Sequence, residues 1–233
     1  MNKRLETIKS LVEQGSVVAD IGTDHAFIPI ACIKEGISPK CYACDVIDGP
    51  CKIAKANIEE EGLSSQIEVI KSNGFENVPL DIDCAIIAGM GFGTCREILE
   101  DGMEHLYKCK QIIVQVNKDI IDLRRWISEH HFTIMDERLV YDDRFYQVVV
   151  FNTNYHSNYS DLHITFGPFL MKERSELFVE YLKESLNTYM MIESVLPKTD
   201  ARYPELSQKI QIFSALLNNE GSLKSSVGGE ETK

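Results

Sequence analysis

Short, nearly continuous apolar runs alternate with helically spaced ones along the first half of the chain. Strands are predicted near 16–21, 40–45, 66–71, 82–88 and 111–116, and helices near 26–35, 50–61, 92–106 and 119–129. The runs "IDCAIIA" and "QIIVQV" are apolar at almost every position, as in strands covered on both faces. That alternation predicts an α/β fold with a parallel sheet wrapped by helices. The rhythm then changes in "HFTIMDERLVYDDRFYQVVVFN", where two consecutive strands flank "YDDR" and so must pair antiparallel. From Gly167 onward the pattern is helical, with Phe169, Leu170, Leu177, Phe178, Tyr181, Leu182, Leu186, Tyr189 and Met190 on one broad face. Pro197 to Pro204 breaks it before a second helix at "ELSQKIQIFSALLN".

The expected architecture is therefore a Rossmann-like sheet closed by an antiparallel hairpin over 1–155. A coiled-coil-like antiparallel helical hairpin follows over 160–219, and the Gly/Ser-rich stretch 220–233 is expected to be disordered.

Composition narrows the class. The chain has 233 residues, 44% hydrophobic and 26% charged, which suits an ordinary soluble protein, and no apolar run reaches the roughly 18 residues of a membrane span. Leu5, Ile8, Leu11 and Val12 form a helical face at the N-terminus without a signal-peptide apolar block, so a cytoplasmic protein with no membrane partner is expected, as a monomer. The net charge of -12 gives no help to non-specific nucleic-acid binding. The nearest basic cluster, Lys118, Arg124 and Arg125 at one predicted helix, reads equally as a solvated helix face. Seven cysteines without an export signal read as reduced thiols. Cys41 and Cys44 have metal-ligand spacing, but strand alternation turns them to opposite faces, so no metal site is expected.

The polar and glycine residues gather at the predicted strand ends. Gly22 follows the first strand, and Thr23, Asp24 and His25 lead into the next helix. Asp45 ends the second strand, where a carboxylate can accept hydrogen bonds from both hydroxyls of a ribose, and Asp48 is expected to cap the helix beginning near Pro50. Asn73 and Gly74 make a turn after the third strand. The fourth ends in "AGMGFG", with Gly89, Gly91 and Gly93 clustered at its carboxyl end, and the fifth places Gln115 and Asn117 beside the same crevice, where either amide could meet the edge of a base.

These blocks resemble the bacterial tRNA (adenine-22 N1) methyltransferase family. The resemblance runs from about Leu5 to about Asn218 and rests on "ADIGTDHAFIP", "DGPCKIAKANI", "IIAGMG", "QVN" followed by "LRRWI", "DERLVYDDRFYQVVVF" and the helices from "FGPFL". It implies a class I methyltransferase fold, S-adenosyl-L-methionine as cofactor, a tRNA substrate, and methyl transfer to N1 of an adenine. Carried onto this chain, it implies cofactor contacts at Asp20, Gly22, His25, Asp45, Asn73, Gly74, Gly89, Met90 and Gly91, with Asn117, Asp24 and Gln115 on the catalytic side. The chain departs from the family pattern at Phe92, where a glycine is usual, and at Val116, where a proline is usual. Three rival readings stand beside this one: a small-molecule methyltransferase on the same fold, a cofactor-binding RNA-interaction protein without turnover, and a nicotinamide enzyme, which the antiparallel hairpin and the single glycine at the first turn disfavour.

Overall fold

The structure, a computed structural model, describes residues 1–218; the expected tail 220–233 lies outside the described residues. Two compact units divide the chain, Met1–Phe169 and Leu170 onward.

The first unit is built on a seven-stranded sheet. Its strands are β1 (Val18–Ile21), β2 (Cys41–Asp45), β3 (Ile67–Lys71), β4 (Cys84–Met90), β5 (Gln111–Val116), β6 (Thr133–Tyr141) and β7 (Phe145–Asn152), in the spatial order β3-β2-β1-β4-β5-β7-β6. The first five are parallel; β7 lies antiparallel to β5 and to β6, which forms the outer edge. The chain runs outward from β1 through β2 to β3 and then returns to place β4 on the other side of β1. Connections therefore diverge above β1 and β4, and a crevice opens there.

The helices of this unit are α1 (Lys3–Ser10), α2 (Phe27–Lys34), α3 (Asp48–Glu60), α4 (Phe92–Asp101), α5 (Met103–Leu106), α6 (Ile120–Glu129) and α7 (Asp161–Phe166). Strand alternation divides the core into two layers. Ala19, Ile21, Tyr42, Cys44, Ile87 and Val114 face one, and Val18, Cys41, Ala43, Ile86 and Ile113 face the other. Cys41 and Cys44 are thus on opposite faces, both buried. Each fully buried isoleucine contributes about 1.5–3 kcal/mol, so the central strands carry much of the stability.

Local physics corrects three expectations. The helix expected over 92–106 breaks at Gly102, whose backbone lies against the Phe75 ring so closely that any side chain there would collide with it. Asp48 is not the cap of α3 but its first residue, paired with Lys71 at 2.7 Å; Ile47 holds the cap position without a side-chain cap, and its N–H donates to the Asp45 carboxylate at 2.9 Å. The basic cluster also dissolves: Lys118 precedes α6, and Arg124 is 0% exposed. Its guanidinium donates to Glu137 at 2.7 Å, to Gln147 at 2.5 Å and to the Thr165 carbonyl at 3.5 Å, while the other Glu137 oxygen accepts the Phe169 N–H at 2.9 Å. These bonds tie α7 to the sheet, and the first unit accordingly continues past residue 155 to Phe169.

Helix α8 (Pro168–Glu173) crosses the boundary at Phe169, and the second unit continues as α9 (Glu176–Val195) and α10 (Tyr203–Asn218). The helical pattern from Gly167 is interrupted where Arg174 takes a left-handed φ of 46° and Ser175 caps α9 by accepting from the Phe178 N–H. Arg174 donates to the Leu216 carbonyl at 3.0 Å, and Tyr189 meets Phe213 edge to face at 5.2 Å, so the start of α9 lies by the end of α10. Met190, expected on the apolar packing face, is instead half exposed, beside the largely exposed Met191 and Val195.

The two arginines of α6 should behave oppositely in urea denaturation. Arg124→Ala strands a buried carboxylate and is expected to cost about 3–5 kcal/mol. Arg125→Ala removes an exposed pair with Asp122 and is expected to change stability by less than about 0.5 kcal/mol. Equal effects would contradict the buried network.

Candidate functional site

The ends of β1, β2, β3 and β4 meet at the crevice, with β5 behind β4, and glycine conformation shapes its middle. Gly22, just after β1, has φ +82° and donates to the Cys44 carbonyl at 2.8 Å; a Cβ there would strike the Met90 side chain. Across the crevice, Gly89 also has φ +82° and forms a bulge in β4 opposite β5. These two left-handed glycines turn the backbone at the ends of β1 and β4 and leave open space beyond them.

Gly89 is held by side chains as well as by strand pairing. Its N–H donates to Gln115 Oε1 at 3.2 Å, and its carbonyl accepts from Asn117 Nδ2 at 2.6 Å. Asn117 N–H also donates to the Met90 carbonyl at 2.7 Å. Arg4, reaching over from α1, donates to the same Gln115 Oε1 at 2.6 Å, and its guanidinium lies 5.5 Å from the Tyr146 ring centre. Gln115 is 0% exposed, which corrects the expectation that its amide faces the crevice and meets substrate. It is a positioning residue with Gly89 and Arg4 on its oxygen and Asn117 on its nitrogen, the last at 3.3 Å. Asn117 itself is exposed.

Two clefts flank this point. The first, of about 350 Å³, is lined by Gly22, Asp45, Asn73, Gly74, Gly89 and Met90, with apolar walls from Ile47 and Ile98. Asp45 uses Oδ1 on the Ile47 N–H, which leaves Oδ2 for a ligand. The second, of about 380 Å³, shares Gly22 and Gly89 and is lined by Arg4, Asp20, Asp24, His25 and Phe27. Asp20 is 5% exposed and accepts the Thr23 hydroxyl at 2.7 Å. Burial pushes its carboxyl up to about 6 against that hydrogen bond, and the Asp45 carboxylate adds to the rise. Asp24 is exposed, and its Oδ2 lies 3.4 Å from His25 Nε2. Gly91 lines neither cleft; its Cα side faces the Lys118 chain. No group of three or more potential metal ligands occurs among the described residues.

The structure thus brings eight of the nine expected cofactor residues and Asp24 to the two clefts, with Asn117 buttressing Gly89 from behind. Arg4, Ser72 and Phe27 also line them and were not singled out from the sequence. Arg4 sits on an amphipathic helix remote from the strand ends, and only the sheet brings it to Gln115.

Residues 18–215 match the family described as tRNA (adenine(22)-N(1))-methyltransferase, TrmK. The chain belongs to this family. The Bacillus subtilis tRNA (adenine(22)-N(1))-methyltransferase is 28% identical over 232 residues, 94% of this chain and 98% of that protein. Among solved structures, Streptococcus pneumoniae Sp1610 in complex with S-adenosyl-L-methionine superposes with a TM-score of 0.86 at 31% identity, covering 93% of this chain and 99% of that one. M. capricolum TrmK in complex with S-adenosyl-homocysteine superposes at 0.84 with 30% identity, covering 94% and 98%. The family match begins at residue 18, so Arg4 and the whole of α1 precede it. No helix among the described residues is long and apolar enough to cross a membrane.

The raised carboxyl of Asp20 makes stability depend on pH. The folded state holds this proton more tightly than the unfolded chain, so its stabilisation is complete below about pH 4 and is lost as the pH rises through about 6. Asp20→Asn is therefore expected to exceed the wild type in urea stability above pH 7, by up to about 3 kcal/mol, with the difference shrinking as the pH falls through 6. A gap independent of pH would contradict the burial of an ionisable Asp20.

Proposed function

We propose that this chain transfers a methyl group from S-adenosyl-L-methionine to N1 of an adenine in tRNA, the adenine at position 22. The observation that carries the proposal is the pair of joined clefts at the β1–β4 divergence, in a chain whose family match spans the same strands. The residues present suit the cofactor. The first cleft offers an acid with a free oxygen at the end of β2, apolar walls and backbone close to glycines, which fits a nucleoside. The second offers Arg4 and a buried carboxylate near Gly22, which fits the charged amino-acid end.

Bound there, the cofactor supplies an electrophilic methyl group on a sulfonium, and adenine N1 already carries the lone pair that accepts it. No residue needs to act as a strong general base, so the protein contributes position and electrostatics. Asp45 holds the ribose. Asn73 and Gly74 border the adenine of the cofactor, and Gly22 with Gly89 lets it approach the backbone. Asn117 fixes the Gly89 carbonyl and keeps one N–H for the acceptor base. A tRNA substrate supports a cytoplasmic site of action.

The departures at Phe92 and Val116 do not argue for a silent protein. Val116 is buried and Phe92 packs against the core from the start of α4, so neither lines either cleft.

Incubation with labelled S-adenosyl-L-methionine and unmodified tRNA, followed by digestion, is expected to yield N1-methyladenosine, and none when position 22 carries guanosine. Asp45→Ala is expected to weaken cofactor binding about 10- to 150-fold in calorimetry while the fold persists, as the loss of a charge-assisted hydrogen bond requires. Cofactor binding without any methylated nucleoside would overturn the reaction, and unchanged affinity in Asp45→Ala would overturn the ribose contact.

A further inference from the structure

The turn after β1 contains two strained residues, one on each side of His25. Asp24 and Ala26 both adopt left-handed conformations, with φ of 52° and 58°, and neither is glycine. Such residues cost on the order of 1–3 kcal/mol each and persist where the surroundings hold them for a purpose. Their effect here is to bring His25 and Phe27 to one side of the turn. The two rings stack with centroids 5.1 Å apart and planes inclined by only 10°. Phe27 is 47% exposed although its neighbours Ala26 and Ile28 are buried. Both rings line the second cleft, on the far side of Gly22 and Gly89 from Asp45.

We propose that the His25–Phe27 stack is the platform on which the acceptor adenine lies, with the Asp24 carboxylate at its edge. This rests on the methyl-transfer reading of the same site. A base drawn out of a folded RNA loses its stacking partners and needs a flat apolar surface in their place. A half-exposed aromatic pair offers that surface to a purine. The reaction adds an electrostatic demand. The N1 lone pair forms the new nitrogen–carbon bond, the electrons of the broken carbon–sulfur bond return to sulfur, and no proton is lost. Positive charge therefore passes from the sulfonium to the adenine ring. A cation over the face of Phe27 is favoured, and the exposed Asp24 carboxylate, 3.4 Å from His25 Nε2, lies where that charge arrives. The platform thus holds the charged ring more tightly than the neutral one, which assists the transfer itself.

Two substitutions separate the ring from its bulk. Phe27→Leu keeps an apolar side chain and removes the aromatic face, and it is expected to lower kcat/KM for tRNA by about 10- to 100-fold. Phe27→Trp is expected to stay within about 3-fold of the wild type, because a larger ring restores stacking. Calorimetric affinity for S-adenosyl-homocysteine should be unchanged in both. A readout independent of turnover is the fluorescence of tRNA carrying 2-aminopurine at position 22, added to protein loaded with S-adenosyl-homocysteine. Stacking should quench it with the wild type and Phe27→Trp, and not with Phe27→Leu. Wild-type kcat/KM in Phe27→Leu, equal quenching by all three proteins, or a loss of cofactor affinity in Phe27→Leu would each overturn the platform. Failure of the wild type to make N1-methyladenosine would instead overturn the reaction, while the fluorescence comparison still reads the platform.

Discussion

A single buried amide holds the centre of this molecule together. Gln115 gives one oxygen to two donors, the N–H of Gly89 and the guanidinium of Arg4, and its nitrogen to Asn117. Gly89 can keep its left-handed bulge only while that N–H and its carbonyl are satisfied away from the strand ladder. The bulge in turn separates the end of β4 from Gly22 and opens the two clefts. An amide with no exposed surface has no water to fall back on, so its partners are fixed with it.

The sheet order explains why the site lies here and not at an edge. The jump in strand order between β3 and β4 leaves β1 and β4 adjacent with their following loops diverging; Gly22 opens the loop after β1 and Gly89 bulges just before the end of β4, both with positive φ. The antiparallel β6–β7 pair covers the far side of β5, where β5 would otherwise be the edge. The Arg124–Glu137 pair secures that side. Its charges are desolvated, and only the further bonds to Gln147, Thr165 and Phe169 offset that cost.

Much of this was legible in the sequence because it follows from short-range pattern. The near-continuous apolarity of residues 82–88 and 111–116 is what two-sided burial demands, and the polar residues at the strand ends mark both clefts by their position in the sequence alone. What escaped depends on partners remote in sequence. Arg124 sits 13 residues before Glu137, and helical spacing alone could not show whether it faced water or a carboxylate. Arg4 and Gln115 are 111 residues apart, so an arginine in an amphipathic helix gave no sign of reaching the crevice, and Gln115 gave none of being closed off from it. Asp48 has the residue type of a cap, but where α3 begins depends on backbone geometry, which makes Ile47 the cap position and Asp48 the first helical residue. Gly102 reads as one more helical position until Phe75 is packed beside it.

The central claim is that a buried amide on β5 shapes the cofactor cleft by fixing Gly89. The most direct measurement is the calorimetric dissociation constant of S-adenosyl-homocysteine for Gln115→Met, which keeps the volume and removes both the acceptor and the donor. The account predicts a loss of affinity of about tenfold or more, in line with a buried donor left unsatisfied, in a protein that still unfolds cooperatively. Wild-type affinity in a folded Gln115→Met would contradict it.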